Sequence, residues 1–251
     1  VIDLAEAVAR EAGAQLREAF AGPSVNVRAK STPTDLVSEA DHAAERLIRE
    51  RLAAARPDDG ILGEEGSDEP GSSGVRWVVD PLDGTINFLF GIPAWAVSIA
   101  CEDSDGTLAG VVYDPMRDEL WSAVRDGPPL LDGEEVQAST RGDLATAMVG
   151  TGFGYDAEVR RYQAEVIGRL LPQVRDIRRF GSAALDLAWT AAGRLDAFFE
   201  RGLNHWDRAA GELLCVRAGL EIRELAPAPP AAGGVLVAPT RLIDELASIV
   251  G

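Results

Sequence analysis

Two aspartates, a glycine and a threonine stand close together in the string Asp80-Pro81-Leu82-Asp83-Gly84-Thr85-Ile86-Asn87-Phe88. The string follows Trp77-Val78-Val79, an apolar run that reads as a short buried strand. Pro81 fixes its own backbone torsion and lacks an N–H, so the strand is expected to end abruptly at Asp80-Pro81. Carboxylates at a strand's carboxyl end supply the oxygen donors that hard cations such as Mg²⁺ or Mn²⁺ take. If Gly84 opens a helix or turn, its amide and that of Thr85 lack intrahelical acceptors and suit a phosphate oxygen. A metal site beside an anion site is the equipment of phosphoryl chemistry. Asp-Pro and Asp-Gly alone are ordinary turn dipeptides; it is the whole string after a buried strand that points to function.

Three further segments could join it. Glu64 and Glu65 lie in the glycine-rich loop 63–74 (GEEGSDEPGSSG), which alone reads as a solvated acidic loop. Beside Asp80 and Asp83, one of them becomes a third metal ligand. Trp206-Asp207-Arg208-Ala209-Ala210-Gly211 opens a helix, where Asp207 either offsets the helix dipole or adds a carboxylate. Lys30 and Asp35 bound the turn-rich KSTPTD, and Asp41 follows Ser38 by three residues, as in a capping box.

These groups need elements to hold them. Leu4, Val8, Ala12, Leu16 and Phe20 mark one face of a helix that Gly22-Pro23 stops. Ala44, Leu47, Ile48 and Leu52 continue a second helix toward Pro57. Residues 94–124 change to strand signals broken at Asp105-Gly106 and at 115–118, an antiparallel meander, and 128–136 add a hairpin. Beyond residue 140, strands at 147–150, 174–177, 197–199, 220–222 and 235–237 alternate with helices at 157–170, 182–192, 207–218 and 239–249. The chain therefore reads as an N-terminal α+β half, 1–140, holding most candidate ligands, and a C-terminal α/β half, 141–251, in one compact catalytic unit. Trp95, Trp121 and Trp189 are expected in the core.

Composition narrows the function classes. The chain has 251 residues, ample for a sizeable core, and 46% of them are hydrophobic. Its 24 basic and 41 acidic residues give a net charge of −17, which opposes nucleic-acid binding through the bulk field. A phosphorylated substrate would have to be drawn in by metal ions. Two cysteines, Cys101 and Cys215, build no disulfide framework and fit a reducing compartment. No apolar run is long enough to cross a membrane, and residues 1–20 read as an acidic amphipathic helix, not a secretory leader. Cytoplasm is the expectation.

GEE at 63–65, DPLDGTINF at 80–88 and WDRAAG at 206–211 resemble the three signatures of the inositol monophosphatase family, in that family's order and at similar spacing. KSTPTDLVSEAD at 30–41 and the segment 180–207 are also similar to its members. The resemblance implies a layered α-β-α-β-α sandwich, two or three Mg²⁺ per site with Mn²⁺ as a substitute, Li⁺ sensitivity and a homodimer. It places Glu64, Asp80, Asp83, Asp207 and the Leu82 carbonyl as metal ligands. It implies that the amides of Gly84 and Thr85 cradle phosphate, and that Thr85, Asp41 and Glu64 activate a water. It sets Ala183 and Glu200, with Asp83 and Asp207, against the substrate's hydroxyl-bearing ring.

The implied reaction is hydrolysis of a small phosphate monoester, inositol 1-phosphate first. Histidinol phosphate, fructose 1,6-bisphosphate and 3′-phosphoadenosine 5′-phosphate are rival substrates. Arg160, Arg161, Arg178 and Arg179 are either solvated or meet a second anionic group. His42 and His205, without clustered cysteines or histidines, make no transition-metal site. Other phosphate chemistries fit less well. An aspartyl-nucleophile phosphatase needs Asp two residues before Asp83, where Pro81 stands. No P-loop and no Gly-x-Ser-x-Gly elbow is present. A non-enzymatic acidic metal-binding module would need neither Thr85 nor the amide cradle.

Overall fold

The computed structural model describes residues 1–22, 27–29, 36–66 and 68–251, with the backbone alone at 27–29 and 36–38. Lys30 and Asp35 fall outside the described residues, as does the side chain of Ser38 that was expected to cap a helix. Helix α1 (Ile2–Ala21) and helix α2 (Glu39–Ala55) flank a small antiparallel pair, β1 (Val27–Ala29) and β2 (Leu36–Ser38). Then come β3 (Gly60–Gly63), β4 (Arg76–Asp83), the one-turn helix α3 (Thr85–Leu89), β5 (Ala96–Asp103), β6 (Gly106–Asp114) and β7 (Glu119–Val124). A hairpin follows, β8 (Leu130–Leu131) and β9 (Glu134–Glu135). The second half runs β10 (Met148–Thr151), α4 (Ala157–Leu170), β11 (Asp176–Arg178), α5 (Ala183–Ala191), β12 (Ala197–Arg201), α6 (His205–Arg217), β13 (Glu221–Leu225), β14 (Gly234–Ala238) and α7 (Thr240–Val250).

Seven strands form one sheet in the order β3-β4-β5-β6-β7-β8-β9, and five form another in the order β11-β10-β12-β14-β13. The expected meander is β5-β6-β7, antiparallel throughout. The first sheet departs from pure antiparallel pairing at its edge, where β3 runs parallel to β4. In the second, β10 is parallel to both β11 and β12, whereas β14 is antiparallel to β12 and β13.

Side-chain alternation along these strands sorts the core into three slabs. Trp77 and Val79 of β4 and Val97, Ile99 and Cys101 of β5 face α1 and α2. Val78, Ala96, Ala100, Val112 and Trp121 face the other way, onto α5 and α6. Those two helices also receive Phe198, Val235 and Val237 from the second sheet. The opposite face of that sheet, with Val149, Phe199 and Leu236, packs on α4 and α7. The result is a layered α-β-α-β-α sandwich. A helix sealed between two sheets must be apolar all round, and every residue of α5 is buried. Trp95, Trp121 and Trp189 are buried as expected. Both cysteines are buried free thiols, with burial pushing Cys101 up to about 12 and Cys215 higher still.

Asp59 pins the turn between α2 and β3. Its carboxylate accepts from Arg56 Nε at 2.8 Å, Ser73 Oγ at 2.7 Å and the Trp77 indole at 3.1 Å. Burial pushes this carboxyl up, but bonds from Arg56, Ser73 and Trp77 outweigh it and hold its pKa below the usual value. A depressed carboxylate stabilises the fold above its unfolded pKa, and that contribution disappears as pH falls through the folded one. Asp59→Ala should therefore cost about 1–3 kcal/mol at neutral pH, roughly 2–4 °C in Tm per kcal/mol for a chain of this size. Differential scanning calorimetry should show the deficit shrinking below pH about 4; an equal deficit at all pH values would exclude the charge as its source.

Candidate active site

The candidate residues converge at the carboxyl ends of β3 and β4. The parallel pairing sets Gly63 beside Val79, and the Glu64 amide donates to the Val79 carbonyl at 3.2 Å. Glu64 is thereby delivered next to Asp80. The strand does not stop at Asp80-Pro81 as expected; β4 continues to Asp83. It can do so because β3 pairs only as far as Val79, leaving the missing Pro81 N–H without consequence on that side. On the other side, Asp80 pairs with Ser98 and Asp83 with Ala96, so two residues of β4, Pro81 and Leu82, are set against one of β5, Val97. This bulge decides the geometry. Residues three apart in a regular strand point to opposite faces, and one extra residue restores them to the same face. Asp80 and Asp83 therefore both face the α5/α6 side. The Leu82 amide donates to Asp80 Oδ1 at 3.0 Å inside the bulge.

Gly84 then turns the chain with φ of 102°, a left-handed conformation that side-chain-bearing residues resist. It is also pressed between the Ala94 carbonyl, Trp95 and the Gly181 carbonyl. Thr85 begins α3, and its hydroxyl donates to Asp41 Oδ1 at 2.8 Å, with the Leu82 carbonyl at 3.1 Å. Asp41, fully buried on α2, thus meets Thr85 as the resemblance implies. Asn87 Nδ2 donates to the Ala94 carbonyl at 2.7 Å and the Phe180 carbonyl at 2.6 Å, tying this motif to the second half of the chain.

That second half supplies the opposite wall. Ser182 caps α5, and its hydroxyl donates to Asp83 Oδ2 at 2.7 Å beside the Ala184 amide at 2.6 Å. Asp207 is at once part of a helix cap and a carboxylate of the cleft wall. It completes a capping box at the start of α6, where its Oδ2 accepts the Asn204 amide at 2.6 Å, and it also lines the cleft. The helix begins at His205, two residues ahead of the expected start. Glu64, Asp80, Leu82, Asp83, Gly84, Thr85, Ala183, Glu200 and Asp207 surround one cleft of about 490 Å³, with Asp41 behind Thr85. That volume suits a small ligand.

The electrostatics are those of crowded carboxylates. Burial raises Asp80 well above its ordinary value, and Glu64, Asp83 and Asp207 raise it further. Asp80 also hydrogen-bonds to Glu64 and to Asp207. Burial and then Asp83 push Asp207 up to about 8. Burial raises Asp83 to about 6, held down from higher by Ser182 and the α5 amides. Glu200 rises to about 8 through burial and Asp83, against the opposing pull of Arg179.

Of the four arginines left open, only Arg179 lines the cleft, stacked over Phe153 at 6.0 Å. Arg160 donates to the Tyr155 carbonyl, Arg161 pairs with Glu158 and Arg178 with Asp176. His205 pairs with Glu102 at 2.7 Å, and His42 stands 4.0 Å from Glu65. Sequence reasoning missed Ser182 and Asn87. Ser182 precedes an apolar helical run and could have been read as a cap; that it caps toward Asp83 is a tertiary fact.

The donor set fits a hard divalent cation: four carboxylates, oxygen donors only, of which Asp80, Asp83 and Asp207 are disfavoured as anions by burial or by their neighbours. Among the described residues, no three acidic, histidine or cysteine side chains stand close enough together to hold a metal ion as they are placed. Because the groups with raised pKa must ionise to take a cation, the rise in Tm on adding Mg²⁺ should grow as pH increases from about 5 to about 8. The sign follows from the raised values: the metal-free fold is favoured while they stay protonated and loses that advantage as pH passes about 6 for Asp83 and about 8 for Asp207. A Mg²⁺ shift independent of pH would contradict it.

A family model described as the inositol monophosphatase family matches residues 1–250. The chain is 48% identical over 230 residues to the "Inositol-1-monophosphatase SuhB" of Mycobacterium tuberculosis (strain H37Rv), covering 88% of this chain and 79% of that one. It is 41% identical over 221 residues to the "Nus factor SuhB" of Escherichia coli (strain K12), covering 87% and 83%. The crystal structure of the extragenic suppressor protein suhB from Bartonella henselae superposes with a TM-score of 0.91 at 34% identity, over 99% of this chain and 97% of that one.

Proposed function

This chain belongs to the inositol monophosphatase family and is a phosphatase of that type, and from that premise we propose that it hydrolyses a small phosphate monoester, inositol 1-phosphate first, with Mg²⁺. The observation that carries the proposal is the convergence of Glu64, Asp80, Asp83 and Asp207 on the cleft that Gly84 and Thr85 also line. Those carboxylates and the Leu82 carbonyl would hold Mg²⁺, which when bound would supply charge neutralisation for the phosphate and a lowered pKa for water.

The chain's own groups do the rest. The amides of Gly84 and Thr85 hold phosphoryl oxygens at the foot of α3. Thr85 Oγ1 gives its hydrogen to Asp41 Oδ1, which leaves its lone pairs to accept a proton from the attacking water; as that proton arrives, the hydroxyl hydrogen passes to Asp41. Glu64 orients the same water. The water oxygen bonds to phosphorus, the bond to the ester oxygen breaks, the alkoxide leaves as the alcohol by taking a proton from a solvent water, and Asp41 returns its proton to the hydroxide so formed. Glu200 and Ala183, both lining the cleft, hold the hydroxyl-bearing part of the substrate, since a carboxyl oxygen accepts from ring hydroxyls.

The test is phosphate release with and without Mg²⁺ from inositol 1-phosphate, histidinol phosphate, fructose 1,6-bisphosphate and 3′-phosphoadenosine 5′-phosphate. Mg²⁺-dependent release led by inositol 1-phosphate is expected; no release from any ester with any divalent ion overturns the proposal. Li⁺ should inhibit at millimolar concentration. The proposal extends to a homodimer, measurable by light scattering, in the cytoplasm, with no nucleic-acid or membrane partner. The net charge of −17 supports the former exclusion. No helix among the described residues is long and apolar enough to cross a membrane.

A further inference from the structure

Behind the acidic loop lies a buried ion pair that takes no part in the chemistry above. Glu45 of α2 is 3% exposed. Its Oε1 accepts from Arg49 Nε at 2.8 Å, and its Oε2 accepts the backbone amide of Glu65 at 2.7 Å. Arg49 extends across the loop to Glu69 Oε1 at 3.0 Å. The loop is wrapped closely around this pair. A methyl group at Gly63 or at Gly66 would overlap the Glu45 carboxylate and the Arg49 guanidinium. The two glycines that bracket Glu64-Glu65 are therefore required by the approach of the ion pair, and the spacing of the acidic motif is the footprint of Glu45.

The consequence falls on Glu64. Its own amide is held by the Val79 carbonyl of β4, and the next amide along is held by Glu45. The backbone on both sides of the Glu64 Cα is thus anchored, once to the sheet and once to α2. We infer that Glu45, braced by Arg49, is a positioning residue that sets Glu64 at the cleft for the divalent cation. This rests on the metal-dependent role proposed above for Glu64. A pair serving stability alone would not need to bond the peptide next to Glu64, and buried ion pairs add little stability over apolar replacements.

The experiment compares the wild-type chain with Glu45→Ala, Glu45→Gln and Gly66→Ala. Circular dichroism of the metal-free proteins checks the fold, and electron paramagnetic resonance titration with Mn²⁺ reads binding without turnover. Groups that hold a metal ligand in place typically alter affinity by 10–100-fold. Glu45→Ala and Gly66→Ala should therefore raise the Mn²⁺ Kd at least about tenfold, whereas Glu45→Gln, which keeps an oxygen for the Glu65 amide, should stay within about threefold. In the phosphatase assay, the Mg²⁺ concentration for half-maximal rate should rise in parallel while kcat at saturating Mg²⁺ largely recovers. A loss of folded protein would lower kcat instead. Folded Glu45→Ala or Gly66→Ala protein with wild-type Mn²⁺ affinity overturns the inference. If Glu45→Ala does not fold, Gly66→Ala on the exposed loop decides alone. A wild-type chain that binds no Mn²⁺ removes the metal-dependent function along with it; variants that match a Mn²⁺-binding wild type remove only the role of Glu45.

Discussion

Asp83→Asn should abolish phosphate release while leaving the fold intact. Asp83 Oδ2 accepts both the Ser182 hydroxyl and the Ala184 amide, and an asparagine carbonyl oxygen can take over both bonds. The volume hardly changes, so the bulge of β4 and the start of α5 keep their packing. What changes is the other terminal atom, which becomes an uncharged amide nitrogen that repels a cation. Loss of one cation-holding carboxylate should lower kcat/KM by at least about 10³, equivalent to roughly 4 kcal/mol of transition-state stabilisation. Stability should move the other way. Burial raises Asp83 to about 6, so at neutral pH its ionised form is a liability in the metal-free fold, and the neutral amide removes it. Calorimetry should give a metal-free Tm equal to or above wild type, with a smaller rise on adding Mg²⁺. A variant with full activity would refute Asp83 as a metal ligand.

Thr85→Val is expected to separate catalysis from metal binding. Valine keeps the shape of threonine and removes the hydroxyl, and with it the path from the water to Asp41. Proton transfer by a positioned group contributes about 10²–10⁴ in rate, so kcat should fall within that range. Mn²⁺ affinity should stay near wild type, because the ligand carboxylates are untouched and the Leu82 carbonyl loses only its 3.1 Å contact with the hydroxyl. Asp41→Asn should lower kcat in the same direction, since an amide oxygen accepts the hydroxyl hydrogen but is a far weaker base. Equal turnover by Thr85→Val would eliminate the relay and leave Glu64 as the group that handles the proton. A fall in kcat matched by lost Mn²⁺ binding would mean that the substitution had disturbed β4 instead.

Most elements of the second half were legible in the sequence. Helix 157–170 was placed to the residue, and the strands and other helices to within a few positions, because Gly, Pro and Asp punctuate them and their apolar periods are clear. The failure at Asp80-Pro81 has a definite cause. Proline signals the end of a central strand, yet β4 passes through it, since β3 has already stopped pairing and β5 bulges there. Arg160, Arg161, Arg178 and Arg179 looked alike in sequence. Only the position of the loop before α5 brings Arg179 into the cleft and leaves the others on carbonyls and surface acids.

The sequence by itself determined which chemistry is available: hard oxygen donors, a hydroxyl and a glycine turn, in three motifs with no competing nucleophile signature. Side-chain type is a local property, and so is the turn propensity of Asp-Gly. Tertiary structure alone decided that these donors share one cleft. Asp80 and Asp83, three residues apart, would face opposite sides of an unbroken strand, and the register of β5 restores their common face. Glu64 reaches them because β3 is parallel to β4, Asp207 because α6 lies over the same face of the sheet, and Asp41 because α2 packs against the other. Each of those relations depends on contacts between residues far apart in the chain, whose pairing no local spacing encodes.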